Sequence, residues 1–199
     1  MNRRQWLSLC AAALAFARWP RLARAQDRVF DQAVDAALAE FGGVTSASAR
    51  IAPVSEPGLP LRIRGMLVGP DGRTPLGKAL VFAYHTDREG LYNPTGAAHS
   101  WRLRGAVRTA ADGTFEFNTI RPASYPQTRI PQHVHVVLQT SDGRFHAGEW
   151  RFADDTKVDA DERARSEAAG AFGWVRPVRA EGGVATIDVM TRLDPTRRV

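Results

Sequence analysis

Two of the chain's three tyrosines and three of its five histidines stand within the 44 residues from Tyr92 to His135, two of those histidines in a single His-x-His. Tyr92 closes Gly90-Leu91-Tyr92, Tyr125 sits in Pro122-Ala123-Ser124-Tyr125-Pro126, and His133-Val134-His135 follows eight residues later. Phenolate oxygens and imidazole nitrogens both bind metals. Histidines at i and i+2 of a strand project from one face, because side chains alternate with period two. Two phenolates beside two neutral imidazoles form a hard, electron-rich donor set, suited to Fe(III) rather than to a thiolate-seeking ion. Each piece alone has a plainer reading. A Gly-x-Tyr is often a turn followed by a packed aromatic, and a His-x-His can decorate an exposed strand. A zinc or Fe(II) site on His133 and His135 alone is a further alternative, for which no carboxylate stands at obvious spacing.

The elements that must position these groups are mostly strands. Residues 61–68, 79–84, 106–109, 114–117, 133–139, 145–152 and 184–190 are short apolar or alternating runs, separated by Gly69-Pro70-Asp71-Gly72, Asp112-Gly113 and Ser141-Asp142-Gly143. Asp112-Gly113 signals a hairpin between the runs on either side. The pattern predicts an all-β chain: an immunoglobulin- or transthyretin-like β-sandwich over 61–199. Ahead of it, Val29, Phe30, Ala33, Val34, Ala37, Leu38 and Phe41 fall at helical spacing, and Gly42-Gly43 ends the run. Residues 44–60 carry three prolines and read as an extended linker. Tyr84 and His85 read as core and edge residues, His99 and His146 as surface. Residues 153–170 read as a solvated loop or short helix, and Phe172-Gly173-Trp174 as a candidate flap.

The first 25 residues read as an export signal. Arg3-Arg4 precedes an apolar stretch from Trp6 to Phe16, and Ala23-Arg24-Ala25 suits cleavage near Ala25. Asn2-Arg3-Arg4-Gln5-Trp6-Leu7 has the form of a twin-arginine signal, and the stretch is too short for a stable membrane anchor. The expected location is periplasmic or secreted. Five of the 27 basic residues and none of the 21 acidic ones fall in this segment, leaving 22 basic against 21 acidic residues. The headline charge of +6 therefore belongs largely to the signal, and nucleic acid is not an expected partner. The sole cysteine, Cys10, lies in the same segment, so the remainder must be stabilised by a core rather than by disulfides.

The stretch 61–152 resembles the intradiol ring-cleavage dioxygenases, and especially their short exported members. The resemblance rests on Gly65-Met66-Leu67-Val68-Gly69-Pro70-Asp71-Gly72, Asp87-Arg88-Glu89-Gly90-Leu91-Tyr92, Ala111-Asp112-Gly113-Thr114-Phe115-Glu116-Phe117, Thr119-Ile120-Arg121-Pro122, Tyr125-Pro126 and Pro131-Gln132-His133-Val134-His135-Val136. It implies one mononuclear non-haem Fe(III) per chain held by Tyr92, Tyr125, His133 and His135, with dioxygen as co-substrate. The implied reaction opens a small aromatic diol between its hydroxyls to a muconate-type diacid, with Tyr125 as the displaceable ligand and general base. The family's arginine three residues before the first ligand histidine is replaced by Ile130. Arg129, or Arg151 partnered by Glu149, is the candidate to supply that charge. The competing reading is a non-catalytic sandwich that binds an aromatic or glycan ligand, with or without metal. The apolar stripe of the N-terminal helix also admits a homo-oligomer.

Overall fold

The computed structural model describes residues 30–95 and 100–198. The export signal expected over 1–25 and His99 lie outside them. Residues 30–40 form helix α1, whose buried residues Val34, Ala37 and Leu38 follow the predicted stripe. The chain divides into a unit up to Glu40 and a second from Phe41 to Val199. Among the described residues no helix is long and apolar enough to cross a membrane.

The second unit is a sandwich of two five-stranded sheets. One has the order β1-β5-β2-β10-β9, built from Ser48–Arg50 (β1), Thr114–Ile120 (β5), Pro60–Val68 (β2), Val184–Arg192 (β10) and Arg179–Glu181 (β9). The other has the order β4-β3-β6-β7-β8, from Leu103–Arg108 (β4), Leu80–His85 (β3), His133–Thr140 (β6), Gly143–Phe152 (β7) and Val175–Arg176 (β8). Alternation drives the layering. Leu61, Ile63 and Leu67 of β2, Phe115 and Phe117 of β5 and Ile187 and Val189 of β10 meet Val81, Ala83, Val134, Val136, Leu138, Trp150 and Phe152 from the facing sheet. Each large apolar side chain so buried contributes about 1.5–3 kcal/mol. Strand β3 is buried along its whole length, so both its faces are covered, which explains its continuous apolar run.

Two expectations give way here. The segment read as a linker contributes β1, which pairs in parallel with β5, and Ile51 and Ala52 join the core. The Asp112-Gly113 turn does form, with Gly113 at φ 78°, but the strands beside it enter different sheets instead of pairing as a hairpin. Gly113 lies against β2: its carbonyl accepts the Leu67 amide at 2.9 Å, and a Cβ there would meet the Leu67 oxygen at 2.4 Å. That contact draws β5 onto β2 and away from β4. Hairpins form instead at β6–β7, closed at Thr140 and Gly143, and at β9–β10, closed at Glu181 and Val184.

Residues 153–170, read as a loop or short helix, contain helix α2 (Ala160–Ala168). It is capped by Asp159, whose side chain accepts the Glu162 amide.

Candidate metal centre

The outer face of the second sheet carries the predicted cluster. His133 and His135 lie on that face of β6, while Val134 between them points into the core. Strand register places Arg151 opposite His133 and Glu149 opposite His135 on β7, and Tyr84 opposite His135 on β3. A row of side chains thus crosses three strands, as directly opposed residues do. The register of β6 against β7 shifts between Val136 and Val137. This irregularity sets Glu149 beside the histidines while leaving Trp150 in the core.

Two loops bring in the tyrosines. Tyr92 follows β3, in a turn organised by Asp87: one carboxylate oxygen accepts the Glu89 amide at 2.9 Å and the Leu91 amide at 3.0 Å. Tyr125 belongs to the loop after β5. The loops are stitched together, since Ala123 N–H donates to the Asp87 carbonyl at 3.0 Å and Thr86 Oγ1 donates to the Ala123 carbonyl at 2.6 Å. Gly90, at φ 80°, lies so close that a Cβ would approach the Ser124 carbonyl oxygen to 2.2 Å. Only glycine combines that conformation with that approach.

The four side chains converge. The Tyr92 and Tyr125 hydroxyls touch, with their ring centroids 5.6 Å apart. Tyr125 Oη is 3.1 Å from His133 Nε2 and 3.3 Å from His135 Nε2, and the two Nε2 atoms are 3.0 Å apart. His133 Nδ1 lies 2.7 Å from the Pro131 carbonyl, which can only accept, so the ring proton sits there and the Nε2 lone pair faces the cluster. His135 Nδ1 lies 3.4 Å from Glu149 Oε1, and its ring stacks on Tyr84 at 4.7 Å. A carboxylate behind an imidazole orients it with Nε2 free, as in many metal sites. Two imidazole lone pairs and two phenol oxygens are thus aimed at one point, with too few protons among them to satisfy each other. That donor set fits a hard trivalent cation.

Electrostatics agree with neutral, ligand-ready imidazole. Burial, aided by His133, lowers the His135 pKa to about 4. Burial raises both tyrosines, and for Tyr125 the hydrogen bond from Tyr92 works in the opposite direction. Burial also opposes ionisation of Glu149, but the neighbouring His133, Arg151 and His135 outweigh it and hold the carboxyl below its usual range.

A family model described as dioxygenase matches residues 39–179. The chain belongs to the intradiol ring-cleavage dioxygenase family. Over 84 residues this family member is 43% identical to catechol 1,2-dioxygenase 1 of Acinetobacter lwoffii, a match covering 39% of this chain and 27% of that protein. It is 34% identical over 112 residues to catechol 1,2-dioxygenase 2 of the same organism, covering 48% and 40%. The matches thus span less than half the length of these relatives. Among solved structures, the dioxygenase domain of a dioxygenase–carbohydrate-binding fusion from Streptomyces sp. SirexAA-E superposes with TM-score 0.58 at 26% identity, over 76% of this chain and 90% of that one. Catechol 1,2-dioxygenase from Acinetobacter sp. ADP1 superposes with TM-score 0.59 over 97% and 79%. At 18% identity that likeness concerns the fold.

Of the residues picked out by the intradiol resemblance, Tyr92, Tyr125, His133, His135, Glu149 and Arg151 come together. Arg129 does not join them: it is exposed on the 121–132 loop and makes no hydrogen bond or ion pair with the described residues. Arg151 does not stand free either, since it bridges Glu149 and Glu162. The carboxylate missing from the His133–His135 spacing is Glu149, which completes a group of three potential ligands from the neighbouring strand. Tyr84 is buried at 3% exposure as expected, but it is also the platform for His135. His85 is not an edge residue: it is fully buried, with ring nitrogens 2.7 Å from the Thr86 carbonyl and 2.7 Å from Thr119 Oγ1. Phe172 of the expected flap lies under Arg192, and the Trp174 indole donates to Glu162 at 2.9 Å, which ties this segment to α2.

Proposed function

We propose that this protein is a non-haem ferric dioxygenase that opens a catecholic ring between its two hydroxyls to give a muconate-type diacid. The observation that carries this reading is the convergence of Tyr92, Tyr125, His133 and His135, with both imidazole lone pairs turned inward. These four would hold Fe(III), which when bound supplies Lewis acidity and a template for diol and dioxygen. His133 is pinned by the Pro131 carbonyl and His135 is clamped between Tyr84 and Glu149, so both present fixed nitrogens. Tyr125 Oη faces the Tyr92 hydroxyl and both imidazole nitrogens, and its hydrogen bond with Tyr92 favours the ionised form, making Tyr125 the tyrosine better prepared to carry negative charge. From there Tyr125 Oη takes a proton from an incoming diol hydroxyl, and the neutral phenol swings aside on its loop. General-base assistance of this kind is worth roughly 10²- to 10⁴-fold.

The purified protein is expected to be red-brown from tyrosinate charge transfer. Catechol should shift that band anaerobically, and admitting oxygen should bleach it while a diacid accumulates. A preparation that binds no iron and shows no such band would end the proposal. Glu149 supports a second reading, a divalent ion on His133, His135 and Glu149. A zinc protein of that kind would be colourless. We also propose export through the twin-arginine route, supported by Arg3-Arg4 and Ala23-Arg24-Ala25.

A further inference from the structure

We propose that Glu149 makes this centre selective for uncharged aromatic diols over diols that carry a ring carboxylate; the inference rests on the ferric, diol-binding reading above. Glu149 Oε1 lies 3.4 Å from His135 Nδ1 and 4.0 Å from His133 Nε2, so a carboxylate stands within the cluster itself. The cation beside it is committed elsewhere. Arg151 Nε and Nη2 hold Glu149 Oε2 at 3.2 and 2.8 Å, while Nη1 holds Glu162 Oε1 at 2.6 Å. Each nitrogen of that guanidinium therefore already faces a carboxylate. Glu162 is fixed from its other side by the Trp174 indole at 2.9 Å. Two carboxylates around one guanidinium leave the group with one net negative charge.

Among the described residues, the cations on the Tyr125 loop lie on its exposed side and outside the cluster: Lys157 Nζ donates to the Thr128 carbonyl at 3.0 Å. Arg129 is exposed and has no hydrogen bond or ion pair with the described residues. Its neighbour Ile130 and the residue before Tyr92, Leu91, are apolar and each 41% exposed. A bare or alkyl-substituted ring brings no charge to the cluster, whereas a ring carboxylate brings one of the same sign as Glu149. Specificity of this kind comes from the repulsive element as much as from the attractive one. At a separation of several ångströms, in a partly solvated site, like-charge repulsion corresponds to about a tenfold difference in affinity.

The test is anaerobic optical titration of the iron-loaded full chain with catechol and with 3,4-dihydroxybenzoate. Catechol is expected to bind about tenfold more tightly at low salt, and the ratio should shrink as salt screens the charge. In Glu149→Gln the ratio should move toward one. Glu162→Gln, which removes a negative charge from helix α2 without touching the histidines, should move it the same way by less. A carboxylated diol that binds as tightly as catechol to the unaltered protein overturns the selectivity alone. So does a ratio that neither variant moves. A visible band that responds to neither diol overturns the ferric reading, and this inference with it.

Discussion

Tyr92 and Tyr125 are the same side chain under different constraints. Tyr92 is seated in the turn organised by Asp87, whereas Tyr125 sits on the loop after β5 and faces the Tyr92 hydroxyl and both imidazole nitrogens. Replacing Tyr125 with phenylalanine should leave a coloured, iron-binding protein whose turnover falls by about two orders of magnitude or more, the size of a lost general base. Oxygen uptake at matched iron content measures this. Histidine burial predicts a pH dependence of the metal-free protein. Burial holds both His85 and His135 at about 4, below the unfolded value of 6.5. The unfolded chain therefore binds protons first as pH falls, and stability should be lost progressively between about 6.5 and 4. Melting midpoints across that range check the sign, and His85→Asn should flatten the slope. At this scale the sequence was most legible where chemistry is rare: Tyr92, Tyr125, His133 and His135 stand out because phenols and imidazoles are few. Tyr84 escaped because a tyrosine ending an apolar run is indistinguishable from core until the register with His135 is known.

At the scale of elements, the site depends on two loops held in contact. Gly90 is the tightest point, and Gly90→Ala would force its Cβ into the Ser124 carbonyl from an already strained φ. The expected result is an intact sandwich by circular dichroism with the tyrosine charge-transfer band weakened or lost. An unchanged band would show that the loops are not coupled through this contact. Removing the platform, Tyr84→Leu, should cost about 0.5–1.5 kcal/mol of stability beyond the area lost, from the stacking on His135 and Trp101. Thermal denaturation of the iron-free protein reads that difference. The longer strands were legible from their alternation, because one face of each is buried. The three residues of β1 carry no readable period, and their pairing with β5 is made across the whole of β2 to β4. The Asp112-Gly113 turn showed where the chain reverses but not which sheet each strand joins, a choice settled by the contact of Gly113 with Leu67. The position of Glu149 beside His135 was equally out of reach, since it depends on the register of the β6–β7 hairpin and its irregularity.

At the scale of the molecule, the export proposal has its own check. The periplasmic fraction is expected to contain a chain beginning at Gln26, and changing Arg3-Arg4 to two lysines should trap the precursor in the cytoplasm. The order of the first sheet carries a different lesson. Strand β10, close to the C-terminal end of the sequence, lies between β2 and β9 and runs parallel to β2, a strand laid down more than a hundred residues earlier. While the ribosome is still adding residues, β2 has a bare edge on that side. The sheet cannot be completed until the chain has been made as far as β10, and such distant pairings make folding slow. A nascent chain halted before Val184 should therefore need a chaperone to shield that edge from its neighbours.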